Sequence, residues 1–304
     1  SRYARWLPAL NRRETWTETV DRYVGNVIAP ALHSTDLSFD EIYEMQNKLR
    51  TAILEQKVMP SMRCLQTAGP ALDRDNTAGY NCSYTPVDHT RVFDEVLYIL
   101  MCGTGVGFSV EKKYVDALPV VPDFLLAKDI EIAVEDSKEG WADAYRQLIE
   151  ELYMGSICSW DVSKVRPYGA RLETFGGRAS GPGPLVALFE HTVDIFRGAA
   201  GRKLKPVEVH SLMCKIGDVV VSGGVRRSAM ISLSDLDDTE MRDAKSGEWW
   251  NDSPHFRLAN NSVCYESQPT ALEFMGEWAA LAASGSGERG IFNRKAAQWK
   301  CERE

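Results

Sequence analysis

Residues 222–229, Ser-Gly-Gly-Val-Arg-Arg-Ser-Ala, run a glycine turn into a pair of arginines. Glycine permits backbone conformations and close approaches that are closed to other residues. Arginine carries a planar, permanently charged fork that matches phosphate or carboxylate. Gly223, Gly224, Arg226 and Arg227 therefore read either as an anion-holding loop or as a solvated hairpin. Arg202 and Lys203, just after Gly201, form a second basic cluster, whose plainer reading is a solvated helix–helix turn. A third feature is the run Gly103-Thr104-Gly105-Val106-Gly107. It invites comparison with a dinucleotide phosphate loop, but Phe108-Ser109-Val110 continues it as a strand. Such a loop needs a helix N-terminus directly after the glycines. The glycines here instead allow a close approach of backbone to another group.

Sulfur supplies the remaining chemistry. The cysteines are Cys64, Cys82, Cys102, Cys158, Cys214, Cys264 and Cys301, an odd number with no C-x-x-C spacing. That pattern argues against a disulfide framework or a tetrahedral zinc site and for a reducing compartment. Cys82 stands in the polar triplet Asn81-Cys82-Ser83. On its own it reads as a structural thiol, since reactivity requires exposure or a lowered pKa. Ser61, in Pro60-Ser61-Met62-Arg63, reads as a turn former ahead of a first core strand. The five histidines lack metal-ligand spacing, so no metal is assigned, and His191 and His210 read as packed or surface residues. Trp249-Trp250 reads as a loop anchored by aromatics.

These residues must be held by ordered elements, and the apolar spacing indicates which. Trp16, Val20, Tyr23, Val24, Val27 and Ile28 recur at helical spacing, with Pro30 marking the end of that pattern. Ser38 with Glu41 forms a capping box before a second helix carrying Ile42, Met45, Leu49, Ala52 and Ile53. Residues 1–57 are thus an N-terminal helical region. From Val58 to residue 304 the texture becomes α/β. Helices are predicted over about 91–102, 138–153, 185–197, 206–221 and 271–283. Strands are predicted near 60–66, 105–110, 157–162, 229–234, 260–265 and 289–293.

A chain of 304 residues, 44% hydrophobic, can bury a large core. No apolar run approaches the roughly 20 residues that a bilayer span requires, and no signal-peptide core follows Ser1, so a cytoplasmic setting is expected. The net charge of −8 argues against coating nucleic acid, which needs excess Lys and Arg. Small basic clusters can still hold a nucleotide.

Taken in order, Asn81-Cys82-Ser83, residues 103–110, Lys164-Val165-Arg166-Pro167, residues 175–182, Gly201-Arg202-Lys203, residues 222–229, Ala259-Asn260-Asn261-Ser262-Val263 and Gly290-Ile291-Phe292-Asn293-Arg294 form a pattern. The pattern resembles the large subunit of ribonucleotide reductase, nearest the adenosylcobalamin-dependent (class II) type. The resemblance implies an α/β fold, with an N-terminal helical cap followed by the first half of a ten-stranded α/β barrel. It implies that Cys82 is one half of the dithiol that reduces the ribose. Ser61 and Ser83, with Gly103, Gly105 and Gly107, would border a ribonucleotide substrate. The loop at Arg202 and Lys203 and the loop carrying Gly223, Gly224, Arg226 and Arg227 would hold a deoxynucleotide effector and relay its identity. Adenosylcobalamin and a thioredoxin-like reductant would complete the system, with no role for nucleic acid or membrane.

One departure stands out. The family's radical cysteine lies in an Asn-Pro-Cys-x-Glu motif, which this sequence lacks. Cys301 has no Asn-Pro prefix, and Arg303 stands where the glutamate is needed. This chain alone is therefore expected to be inactive and to need a separate C-terminal chain, a second subunit or the rest of a longer polypeptide. The alternatives are a non-catalytic nucleotide-binding fragment of a split reductase and a class I large subunit, and cobalamin dependence separates the classes.

Overall fold

Thr15 and Ser38 open their helices by one device. Each side chain caps the backbone three residues on, while Glu18 or Glu41 returns to the cap's own N–H (2.7 and 2.8 Å). The helices are α1, Trp16–Tyr23, and α2, Phe39–Leu54. The helical path does not stop at Pro30. A π-helical turn over Val24–Ile28 leads into Ala29–His33, and Pro30 falls in the first turn of that last piece, where a missing N–H costs little. Val20, Val24 and Ile53 form the small core between these helices. Arg22 ties it together, bonding Glu14 (2.8 Å) and the Ala68 and Leu65 carbonyls (2.9 and 3.1 Å).

This computed structural model describes residues 3–170, 178–222 and 230–301. Its compact units are Ser1–Asn81 and Cys82–Glu304, so residues 58–81, expected with the barrel, belong to the first. The strand expected near 60–66 is instead a helix, α3, Met62–Thr67. Periodicity cannot separate a strand from a helix over so short an apolar run, and Ser61 as N-cap decides for the helix.

In the second unit, β1 (Cys82–Pro86), α4 (Val92–Met101) and β2 (Gly105–Ser109) form a βαβ unit. Next come β3 (Leu126–Ala133), α5 (Lys138–Tyr153), β4 (Ser156–Asp161), α6 (Gly183–Gly198) and α7 (Pro206–Ser222). The chain then returns through β5 (Met230–Ser234), β6 (Ala259–Tyr265), α8 (Ala271–Ser284), β7 (Gly290–Asn293) and α9 (Arg294–Cys301). The main sheet has the order β1-β2-β5-β6-β7, every pair parallel, and β3 pairs with β4 in a separate parallel ladder. Trp249–Asp252, expected as a loop, is a single helical turn. Among the described residues no helix is long and apolar enough to cross a membrane.

Side chains alternate across a sheet. Val106, Phe108, Met230 and Ala259 go into the core with Phe93, Leu97 and Leu100 of α4 and Leu212, Met213 and Ile216 of α7. Each such large side chain contributes about 1.5–3 kcal/mol by leaving water. Below β7, Arg289 makes a bidentate pair with Glu277 of α8 (2.9 Å twice) and donates to the Asp235 and Leu236 carbonyls just past β5 (2.8 Å each). That pair is almost wholly buried.

Histidines also pack in this layer. His210 of α7 is fully buried, with Ser232 Oγ at 3.0 Å from Nδ1. The Ser211 hydroxyl meets Nε2 of His255 (2.8 Å) and of His191 (2.9 Å). Burial first, then neighbouring Lys245 and His255 for His210 and neighbouring His191 for His255, push both groups down to about 3. The unfolded chain would protonate them below about 6.5. Their contribution to stability is therefore whole above that pH and is lost as pH falls towards 3. Each histidine should remove about 1.4 kcal/mol per pH unit over that window. Urea midpoints measured between pH 7 and 5 should fall accordingly, and less steeply in His210→Asn. A midpoint that stays constant over this window would contradict the assignment.

Candidate active site

The second face of the main sheet is left open. Across it, Cys82 of β1 lies opposite Gly105 of β2, and the next row reads Tyr84, Gly107, Ile231 and Asn260. A cavity of about 960 Å³ opens over these residues, walled further by Phe292 of β7 and by Ala297, Gln298 and Cys301 of α9. Cys82, Tyr84 and Asn260 are exposed in it. A thiol thus sits at the edge of a glycine floor that continues a parallel sheet.

At Gly107 the glycine is required by packing. A Cβ on Gly107 would lie 3.1 Å from Ile231 Cγ2 and 3.4 Å from the Tyr84 ring. The Tyr84 and Ile231 side chains therefore close over the bare backbone between them. Gly107→Val would drive two methyl groups into that row, and overpacking of this kind costs about 1–3 kcal/mol. It should also occlude the floor, weakening ligand binding in the cavity by more than it weakens the fold. Parallel titrations of nucleotide affinity and urea stability check this, and unchanged affinity would count against the floor as a binding surface.

Charges gather where the strands end. Glu111 follows β2, Glu266 follows β6, and Arg294 follows β7. Arg294 bonds Glu111, and also Glu266 at 2.9 Å, while Lys113 reaches Glu266 at 2.7 Å. Ser109 donates to Glu111 at 2.6 Å. Glu111, Glu266 and the Cys264 thiol come close enough to hold a cation. Arg294 and Lys113 already bond those carboxylates, so the group is an ion-pair network. Burial, then the Glu111 charge, pushes the Cys264 thiol up to about 11, so it stays protonated at neutral pH.

The residues expected at the site fare differently. Cys82, Ser83, Gly105 and Gly107 all border the cavity. The Ser83 hydroxyl donates to the Gly105 carbonyl (3.1 Å). Gly103 closes α4 at a positive φ of 82°, a left-handed turn that favours glycine, and so directs the chain into β2. Ser61 caps α3 in the first unit, accepting from the Cys64 N–H (3.5 Å). Arg202 is held in the α6–α7 turn by both oxygens of Glu208 (2.6 and 2.8 Å) and by the Gly198 carbonyl (2.9 Å). Burial raises the Glu208 carboxyl, but the Arg202 bonds and the Lys205 N–H outweigh it and leave its pKa lowered. Lys203 donates to the Asp116 carbonyl. Gly223, Gly224, Arg226 and Arg227 lie outside the described residues.

Tyr84, Arg257, Asn260, Phe292 and the Glu111–Arg294 pair were not singled out from the sequence as site residues. Tyr84 and Asn260 follow from strand alternation once the partners are known, whereas Arg294 meets Glu111 only through the fold.

Residues 123–196 match the family model of the B12-dependent ribonucleotide reductase insertion domain. The adenosylcobalamin-dependent ribonucleoside-triphosphate reductase of Lacticaseibacillus paracasei is 30% identical over 96% of this chain and 47% of its own length. That of Euglena gracilis is 28% identical over 77% of this chain and 34% of its own. A crystal structure of a B12-dependent (class II) ribonucleotide reductase superposes with a TM-score of 0.83 and 26% identity, over 96% of this chain and 48% of that one. The chain spans about half the length of the relatives it matches. In both sequence and fold, this chain is similar to part of the B12-dependent ribonucleotide reductases.

Proposed function

We propose that this chain forms the N-terminal helices and half of the ten-stranded barrel of an adenosylcobalamin-dependent ribonucleotide reductase. The observation that carries the reading is the exposed Cys82 thiol beside the glycine floor of the open cavity. A ribonucleotide would lie on Gly105 and Gly107 with its ribose towards Cys82. Cys82 would supply one of the two sulfurs that reduce the 2′ carbon, ending the turnover in a disulfide. That disulfide must then be opened by thiolate attack, which suits an exposed position and a thioredoxin-like donor.

Adenosylcobalamin would supply the radical chemistry. The cavity offers apolar, amide and charged side chains suited to a nucleotide. The residues here are accordingly assigned to the substrate side. Ser61 and Ser83 would assist substrate binding, although Ser83 must first release Gly105. Arg202 and Lys203, with the loop of Gly223, Gly224, Arg226 and Arg227, would hold a deoxynucleotide effector. Arg202 would then exchange Glu208 for a phosphate, a charge-assisted contact of the same type. Such a system belongs in a reducing, cytoplasmic setting, where seven free thiols persist.

The test is conversion of ribonucleotides to 2′-deoxyribonucleotides by the polypeptide that carries this chain, with a dithiol and with or without adenosylcobalamin. Conversion that depends on the cofactor supports the proposal. Deoxynucleotide binding without conversion would replace it with the binding-only reading.

A further inference from the structure

Cys102 is buried at the C-terminal end of α4, immediately before Gly103 and the cavity strand β2. The Lys138 ammonium donates to its sulfur at 3.2 Å. Lys138 is the first residue of α5, where a cation gains nothing from the helix dipole. It is held at the sulfur by the Tyr98 hydroxyl (2.8 Å) and by the face of the Tyr98 ring, 4.3 Å from its centroid. Nitrogen and sulfur are thus positioned at contact distance between two elements that the sequence separates by 36 positions.

We propose that Cys102 and Lys138 are a modification site, which peroxide closes into a covalent sulfur–nitrogen crosslink. In the first step the Cys102 sulfur takes one oxygen from hydrogen peroxide. The O–O bond breaks, sulfur is oxidised to a sulfenic acid, and the other oxygen leaves as water. A sulfenic acid condenses with a neighbouring nitrogen to a sulfenamide. Here the neighbour is Lys138 Nζ, which loses its ammonium proton to solvent and attacks sulfur. The S–O bond breaks, hydroxide leaves and is protonated to a second water, and the S–N bond forms. One thiol, one amine and one peroxide give one sulfenamide and two waters. Burial of Cys102 excludes bulky thiols, which favours closure onto the lysine over a mixed disulfide. The crosslink would fasten the turn entering the cavity floor to the first turn of α5, inside the stretch matched to the insertion domain.

The experiment is peptide mapping of the purified protein after hydrogen peroxide, with remaining thiols blocked by iodoacetamide. The expected product joins the Cys102 and Lys138 peptides with the loss of two hydrogens and no tryptic cleavage after Lys138. Dithiothreitol should return both peptides unlinked. Lys138→Arg keeps the charge but lacks the amine, and its map should contain no such product. Wild-type protein whose Cys102 is recovered only as free thiol, or as sulfinic or sulfonic acid with Lys138 unlinked, would overturn the proposal. The wild-type map decides this even if a variant fails to fold.

Discussion

If the proposed function holds, Cys82→Ser, made in the polypeptide that carries this chain and shows ribonucleotide turnover with a dithiol, is expected to reduce that turnover to background. The substitution replaces one sulfur by oxygen at an exposed strand end and leaves Tyr84, Gly105 and Gly107 in place. The shape of the cavity is kept, so nucleotide affinity should change by no more than a few-fold. The loss should therefore fall on the rate and leave binding almost untouched, the pattern of an interaction made during the reaction. Initial rates and equilibrium nucleotide binding on the same preparation measure the two effects. Turnover at the wild-type rate would return Cys82 to the reading it has by itself in the sequence, a structural thiol.

Arg289→Leu should cost the fold about 3–5 kcal/mol, because it leaves the Glu277 carboxylate buried without its partner. The loss also frees the Asp235 and Leu236 carbonyls, to which Arg289 donates. Removing both charges together is a different matter. The double variant Arg289→Leu, Glu277→Leu should recover much of the deficit, since a buried pair replaced by apolar side chains is often neutral. Urea unfolding of the two single variants and the double closes the cycle. A single-variant loss below about 1 kcal/mol would show that water reaches Glu277 and that the pair acts as a surface contact.

The helices were legible because their apolar residues repeat and their caps are local. Ser38 and Glu41 announce α2, and the prediction for α5, 138–153, coincides with Lys138–Tyr153. The strands β5, β6 and β7 were found as short apolar runs. β1 was missed because only Tyr84 and Thr85 stand between a polar start and Pro86. β3 was missed because Lys128, Asp129 and Glu131 interrupt its apolar residues. Residues 60–66 failed for another reason, since an N-cap outweighed an ambiguous apolar run. At the site, sequence order marked the segments of Cys82 and the glycines. It could not show that Ser83 is engaged by Gly105, or Arg202 by Glu208, since both contacts depend on the folded geometry.

The direct pairing of β2 with β5 has a kinetic consequence. Val106 must find Met230 across a long stretch of chain that contains β3, β4 and, among the described residues, four helices: the short Lys112–Val115 and α5, α6 and α7. Closing a loop costs entropy that grows with its length, and contacts far apart in sequence slow folding. The β3–β4 ladder with α5 and α6 is assembled from nearer neighbours, so it should gain structure first and shorten the span that remains. Pulse-labelled hydrogen exchange during refolding should then protect α5 and β4 amides ahead of those in β2 and β5. The reverse order would mean that the sheet nucleates on its own. With the inserted segment leading, the floor under the cavity is the last surface to take shape, and any delay in the insertion becomes a delay in the site.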